Sequence, residues 1–382
     1  MIQIEHATTL SQFAELRSTW NRLDGALPTQ SWEWLYSWSE TMLTQGSLML
    51  LVGRNEDQQV IGIAPFYRNQ HWVRGDMIRF LGDGQTCTDY STFLIEPGSE
   101  DSFVDAVANW LLGHSSRCAL PDPDNLDAES DDWLGWDLIC LQGIAQSDKS
   151  VARFGEAMAR ENCHVNTKQD YSCWQVAIPE SWDEYVASLS KSQRRNVRRV
   201  TKRVLENDDF QVKLAHDGPS LKFAMQHLER LHQKRWVQAG EVGCFSVQHF
   251  TEFLNVAATR LFAKDQIRLL WIEHHGEPVA VDFSFQTPNA SYGYQTGIDP
   301  EYFDHEIGRC LMTAAMRATH QAQRQIFDFM RGDEQYKSRW RATEVPLVDL
   351  EVVPDRSLPL FRKNLVQFGR RVKRKLSKNV SE

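Results

Sequence analysis

The sequence predicts an α/β fold with a mixed sheet, built from two tandem copies of one domain, and three observations carry that prediction. The stretch "LMLLVGRNEDQQVIGIAPFY" (48–67) aligns without gaps on "IRLLWIEHHGEPVAVDFSFQ" (267–286). Each reads as an apolar strand, a polar turn and a second apolar strand, which is the pattern of a hairpin. An aromatic-rich helical stretch precedes each, "SWEWLYSWSETML" (31–43) and "SVQHFTEFLNVAATRLF" (246–262), and a further strand and helix follow. The interval between the copies is far too long for a solenoid repeat.

Composition fits this reading. The chain has 382 residues, 42% of them apolar, with 13 Trp and 19 Phe, enough to bury two ordinary cores. Apolar runs such as "LMLLV" (48–52) fall far short of the roughly 20 residues a membrane span needs. The opening "MIQIEHATTLSQF" has neither the basic start nor the long apolar run of a secretion signal, so a cytoplasmic protein is expected. Seven Cys without a CxxC pair point to reduced thiols, not to a disulfide framework or a zinc site. A net charge of −9 argues against a general nucleic-acid binder. The charge is uneven, however: residues 359–382 carry eight Lys or Arg and one Glu.

Along the chain, "PDPDNLDAESDD" (121–132) reads as a solvated acidic insertion. "CWQVAIPESWDEYVASLS" (173–190) leads from a strand into a helix and sets the expected boundary, with one domain over 1–178 and the other over 179–382. Ser190 and Gln193 form a capping-box pattern that opens a basic helix over 190–205. Lys191, Arg194, Arg195, Arg198, Arg199, Lys202 and Arg203 fall on one stripe of it, with Gln193, Val197, Val200 and Val204 opposite. Like charges at this spacing repel by a few tenths of a kcal/mol per pair. The stripe is either a solvated or internally paired face, or a dock for an anion: a phosphorylated ligand, an RNA or a lipid surface. Next come the strand "ASYGYQTGI" (290–298), the helix "EIGRCLMTAAMRATHQA" (306–322) and the strand "QIFDFM" (325–330).

The densest chemistry lies in "IFDFMRGDEQYKSRW" (326–340). Alternation places Asp328 and Met330 on one side of a strand and Phe327 and Phe329 on the other. A Gly-containing turn leads into "EQYKSRW", read as a helix with Tyr336 and Trp340 one turn apart. Strand C-terminal ends are where α/β sheets place their sites. The tail "LFRKNLVQFGRRVKRKLSK" (360–378) has an apolar stripe of Phe361, Leu365, Phe368, Val372 and Leu376 among basic residues. It reads as a helix lying on an anionic membrane or as a last helix packed on the domain. His274 and His275 lack a third ligand at metal-binding spacing and read as turn residues. No GxSxG elbow and no GxxxxGK[ST] loop is present.

"FDFMRGDEQYKSRW", "GIDPEYFDHEIGRCLM", "LHQKRW", "IGIAPFY", "FLGDGQTCTDYSTFLIEPG" and the Ser-x-x-x-Arg start of the basic helix together resemble the CelD-type, cellulose-biosynthesis-associated acyltransferases of the GNAT superfamily, over roughly residues 20 to 345. The resemblance implies two tandem GNAT-like domains, an architecture related to Fem-type transferases. It further implies an acetyl-CoA or other acyl-CoA co-substrate and a role linked to polysaccharide or cell-envelope biosynthesis. The donor's pantetheine would lie along Thr296, Gly297 and Ile298. Its pyrophosphate would meet backbone N–H groups at a helix start formed by His305, Ile307, Gly308, Arg309 and Cys310. The superfamily's Arg/Gln-x-x-Gly-x-Gly/Ala pattern is incomplete, with Phe303 and Glu306 standing where a cation or amide and a glycine are expected. Asp328 or Glu334 is the expected base near the acceptor, with Asp282 a second base, and Tyr336 the proton donor to the departing sulfur. Arg331, Lys337, Trp340, Asp89 and Tyr90 are expected to contact a small-molecule or saccharide acceptor or the donor. Two alternatives stand beside this reading. One is a Fem-like transferase using aminoacyl-tRNA, for which the basic helix would serve. The other is a non-catalytic accessory of polysaccharide export, held by 359–378 at the inner face of a membrane.

Overall fold

The computed structural model describes residues 2–23, 27–114 and 135–366. The acidic stretch 121–132 and the tail beyond 366 lie outside the described residues. The first half runs β1 (Gln3–Ala7), α1 (Leu10–Glu15), α2 (Arg17–Leu23), α3 (Trp32–Thr41), β2 (Ser47–Arg54), β3 (Val60–His71), β4 (Gly75–Phe80), β5 (Leu94–Ile95), α4 (Glu100–Gly113), β6 (Leu138–Ala145), α5 (Lys149–Arg160) and β7 (His164–Ala177). The second runs α6 (Trp182–Ser188), α7 (Lys191–Val200), β8 (Phe210–Leu214), α8 (Gly218–Gln238), α9 (Phe250–Phe262), β9 (Ile267–His274), β10 (Glu277–Gln286), β11 (Ala290–Ile298), α10 (Ile307–Gln321), β12 (Ile326–Arg331) and β13 (Thr343–Val353). The two expected hairpins are β2–β3 and β9–β10.

All strands join one mixed sheet in the order β1-β2-β3-β4-β6-β13-β7-β12-β11-β10-β9-β8, with β5 paired to β3. β4 runs parallel to β6 and β11 parallel to β12, while the other pairs are antiparallel. From either edge the sheet therefore repeats one topology, β1-β2-β3-β4-β6 matching β8-β9-β10-β11-β12. The α/β mixed-sheet expectation holds. At the centre, β13 lies between β6 and β7, and β7 lies between β13 and β12. Each half is thus completed by a strand from the other.

Helices cover both faces. On one face α1 to α3 of the first half and α8 and α9 of the second share a single apolar core. Trp34, fully buried, meets Phe253 at 4.6 Å and Phe285 at 5.0 Å, both edge-on. Burying a side chain of this size contributes about 2 to 3 kcal/mol. On the other face α4 and α5 pack on the first half, and α6, α7 and α10 on the second.

The basic helix forms as its pattern requires. The Ser190 side chain accepts from the backbone N–H of Gln193, and Gln193, Val197, Val200 and Val204 are buried. α7 itself ends at Val200, and a π-turn over Thr201–Leu205 continues it. Residues 357–366 are helical and include Phe361 and Leu365, both exposed. No described helix is long and apolar enough to cross a membrane.

Candidate functional site

β11 and β12 pair only through Ala290↔Ile326, Ser291↔Phe327 and Tyr292↔Asp328, and then part. β12 causes the parting. The Asp328 carboxylate accepts from the Met330 N–H at 2.6 Å, and Met330 takes a left-handed backbone with φ 56°. All of Phe327 to Met330 are buried, so the expected alternation of two faces breaks at this bulge. The chain then wraps around one ammonium group. Lys337, 2% exposed, donates to the carbonyls of Met330, Arg331 and Gly332 at 3.1, 3.0 and 2.8 Å, and pairs with Glu334. This clamp replaces the expected helix over "EQYKSRW", of which only Lys337–Trp340 forms a short 3-10 turn.

Beside the freed end of β11, and bounded by β10, α7, α8, α10 and the loop after β12, lies a cavity of about 280 Å³. Of the expected site residues, Asp282, Thr296, Ile298, Gly308, Arg309, Tyr336 and Trp340 line it. Asp282 sits opposite Thr296 in the β10–β11 register, beside a bulge at Phe283/Ser284. The Ser284 hydroxyl donates to Asp282 Oδ2 at 2.6 Å, and Arg268 lies 3.8 Å from the same oxygen. Among the described residues nothing donates to Oδ1. Burial holds the Asp282 carboxyl above the usual carboxylate range, against the pull of Arg268 and Ser284. Tyr336 keeps 42% of its surface exposed, and the packing around its phenol first, with Glu334 second, pushes it up to about 12, so it is protonated at neutral pH.

Other expected residues are placed elsewhere. Gly297 faces α8, where an added Cβ would lie 2.8 Å from the Leu228 carbonyl oxygen, so its role in space is close helix–sheet approach. Ile307 and Cys310 are fully buried under α10. His305 neighbours Phe210, His274 and Tyr302. Glu334 is mostly exposed. Asp328, Asp89, Tyr90 and Arg331 form a second, buried cluster between the halves. There Tyr90 Oη donates to Asp328 Oδ2 at 2.6 Å and Gln175 Nε2 at 2.9 Å. Arg331 pairs with Asp89 and lies 4.4 Å from the Tyr171 ring centroid. Burial raises Asp328 to about 6, against the hydrogen bonds from Tyr90, Gln175 and the Met330 N–H, while Asp89 is also raised by burial.

Gln193, Arg235, Leu311, Met312 and Arg339 also line the cavity and were not expected there. Gln193 had a signal, being the one polar residue on the apolar side of the basic helix. The start of α10 holds a further surprise. Glu306 is its N-cap, in a left-handed conformation at φ 55°, and its carboxylate bonds both Arg199 and Arg309. Of the six other cations of the stripe, Arg194 is partly buried and donates to the Leu189 carbonyl, while Lys191, Arg195, Arg198, Lys202 and Arg203 are exposed and have no ion pair among the described residues.

At the corresponding place in the first half, described side chains bond across the gap. Where β4 parts from β6, Arg79 donates to Gln142 and pairs with Asp83, and Tyr67 donates to Asp83 at 2.6 Å. The residue aligned with Asp282 is Ile63, fully buried.

Residues 191–338 match the family model described as an acetyltransferase (GNAT) domain, and that span holds every residue lining the cavity except Arg339 and Trp340. No curated protein sequence matches the chain. Among solved structures the fold is similar to FemX, with a TM-score of 0.56 at 10% identity, covering 91% of this chain and 96% of that one. It is similar to L-PGS from Bacillus licheniformis, with a TM-score of 0.53 at 12% identity, covering 94% and 96%. It is also similar to the C-terminal domain of a putative lysylphosphatidylglycerol synthetase from Agrobacterium fabrum, with a TM-score of 0.53 at 9% identity, covering 94% and 97%. At these identities the likeness is one of fold. The chain has a mixed α/β fold of two similar halves, like that of tandem GNAT proteins, and residues 191–338 of its second half match the GNAT acetyltransferase domain.

Proposed function

We propose that the chain is an acyltransferase that moves an acyl group from a pantetheine thioester, such as acetyl-CoA or another acyl-CoA, to an amine or hydroxyl acceptor. One observation carries this reading: Asp282 and Tyr336 share a cavity bounded by an unpaired strand edge. Beyond Tyr292 no described strand pairs with the outer edge of β11, so its backbone groups are available to an extended amide-bearing arm. The acceptor's nitrogen or oxygen attacks the thioester carbon, the carbon–sulfur bond breaks, and the acceptor's proton is passed to the sulfur. Asp282 takes that proton, its raised pKa making it a better base than a solvated carboxylate. A phenol at about 12 is a weaker acid than a thiol at about 8.5, so Tyr336 acts as a hydrogen-bond donor to the departing sulfur rather than losing its proton outright. Arg235, Arg309 and Arg339 supply positive charge around the cavity. Asp328 and Asp89 position the loop that carries Tyr336, and Lys337 clamps it. By its resemblance, the chain's acceptor is a saccharide or envelope precursor, handled at the cytoplasmic side of the membrane.

A second reading keeps the chemistry and changes the donor to an aminoacyl-tRNA, and the exposed cations of α7 favour it. Titration with acetyl-CoA, followed by a screen of amine and hydroxyl acceptors for release of free thiol, tests the first reading. Thiol release that requires Asp282 supports it. Failure to bind any pantetheine thioester at millimolar concentration overturns it.

A further inference from the structure

We infer that the acyl donor reaches this chain on an acidic carrier protein, which docks on the cationic face of α7 and delivers its pantetheine thioester into the β11–α10 cavity. The inference rests on the acyltransferase reading and names the donor's carrier.

Three observations converge. First, a carboxylate already stands at the start of α10. Exposed amides at a helix N-terminus favour negative charge. Glu306, the N-cap, makes no side-chain bond to those amides, and its carboxylate engages Arg199 and Arg309 beside them. A free nucleotide thioester would bring its pyrophosphate against this carboxylate. A pantetheine arm held by a protein has no nucleotide pyrophosphate to place there.

Second, the neighbouring cations are left for something larger. Lys191, Arg195, Arg198, Lys202 and Arg203 point to solvent without an ion pair among the described residues. Their mutual repulsion disfavours the helix, so they fit an anionic partner better than a merely soluble surface. The stripe runs from Lys191 to Arg203 along α7 and the π-turn after it, about 18 Å, a length that one short acidic helix can span. α7 itself borders the cavity through Gln193, on the face opposite the stripe, so an arm from a partner on the stripe has one helix width to cross.

Third, the opposite flank is apolar. Arg235 in the last turns of α8 lines the cavity, and Lys234 ties that helix end to Asp299 and Glu301. On these same segments Trp236, Val237 and Phe303 are 37%, 67% and 53% exposed, and Val242 just beyond α8 is 75% exposed. Val237 and Val242, the two most exposed of the four, give nothing to a phosphodiester backbone, whereas apolar contacts inside a charged rim are how protein partners are held. The net charge of −9 also opposes a large polyanion more than a small acidic protein that meets the stripe alone.

Transfer then follows the chemistry above. The carrier's acyl carbon–sulfur bond breaks, the carbon bonds the acceptor, and the acceptor's proton ends on the carrier's sulfur as a free thiol.

The test uses the full chain and three probes at one ionic strength: a purified bacterial acyl carrier protein in acetyl-holo form, acetyl-CoA, and bulk tRNA. The variants are the triple reversal R195E/R198E/K202E, checked for an unchanged melting temperature, and E306G. Expected is salt-sensitive carrier binding that weakens about tenfold or more in the triple variant. Acetyl-CoA binding should be weak, indifferent to the triple reversal, and stronger in E306G. Carrier binding untouched by the triple reversal, or tight acetyl-CoA binding by the unaltered chain, overturns the inference and leaves the acyltransferase standing. Binding of tRNA that the triple reversal abolishes, with none of the carrier, replaces the carrier by tRNA. If no thioester binds and none is consumed, the acyltransferase reading itself falls.

Discussion

At the residue scale two buried carboxylates of the second half look alike in sequence and differ in surroundings. Asp282 and Asp328 each interrupt an apolar strand, so the sequence could name both as candidates and could not rank them. The fold separates them. Asp328 accepts from Tyr90, Gln175 and the Met330 N–H, whereas Asp282 accepts from Ser284, pairs with Arg268 through the same oxygen, and lines the cavity. Asp282→Asn should therefore lower kcat/KM by about a hundredfold or more, the usual weight of a general base. Because the folded pKa of Asp282 is raised, the base is protonated at low pH and activity climbs as pH rises through that elevated value. Ser284→Ala removes a bond that favours the charged form, so the rising limb should move to still higher pH. A limb that stays put, or moves down, would show that Asp282 is not the titrating base. Asp328 predicts a stability effect instead. Its folded value of about 6 lies above the unfolded value of about 3.9, so its stabilising contribution is full below about pH 4 and is lost as pH rises towards 6. Melting measured at pH 5 and pH 7 should show the native chain losing on the order of 1 to 3 kcal/mol relative to Asp328→Asn. Equal pH dependence in the two proteins would mean that the carboxyl is charged at both values.

At the element scale the loop after β12 depends on one side chain. Lys337 was expected to meet a substrate, but its ammonium is buried among the carbonyls of Met330, Arg331 and Gly332. Lys337→Met keeps the volume and removes three donors. Each carbonyl left unsatisfied costs about 1 to 3 kcal/mol, so chemical denaturation should report a loss of about 3 kcal/mol or more. Activity should fall further than stability alone accounts for, since Tyr336 is held by the same turn. A loss below about 1 kcal/mol would mean that water replaces the ammonium and the clamp is unimportant. Why this was illegible is instructive. A lysine after a Gly-Asp-Glu turn is usually a solvated residue, and only the left-handed Met330, invisible in a pattern of apolar letters, folds the three carbonyls towards it. The hairpins, by contrast, were readable because alternation and turn chemistry are local. So was the basic helix, whose cap, buried valines and exposed cations all follow from a 3.6-residue period. The Glu306 bridge joins residues 107 positions apart in sequence, and no local pattern records it.

For the whole molecule the decisive feature is the exchange of central strands. The internal repeat correctly foretold two similar halves, and an expected boundary near residue 178 would divide them there. Three strand pairs cross that boundary. β13 finds both of its neighbours, β6 and β7, in the first half, and β12 finds its inner neighbour in β7. No sequence signal marks this, because a strand's alternation says which face is buried and nothing about which strand lies beside it. The exchange also fixes the site. Asp328 on β12 is held by Gln175 on β7 and by Tyr90 of the first half, so the bulge that opens the cavity is supported from the other copy. Fragments 1–178 and 179–382 expressed alone should each expose long unpaired strand edges, and such edges template aggregation. The second fragment would moreover lose the shared core in which Trp34 packs against Phe253 and Phe285. We therefore expect each fragment alone to be insoluble or to melt without cooperativity, and the two co-expressed to elute together at the size of the intact chain. Acyl transfer, if present, should return only in the mixture. Fragment 179–382 eluting alone as a cooperative, thioester-binding monomer would show that β12 and β13 can satisfy their edges without the first half, and that the site is complete within one copy.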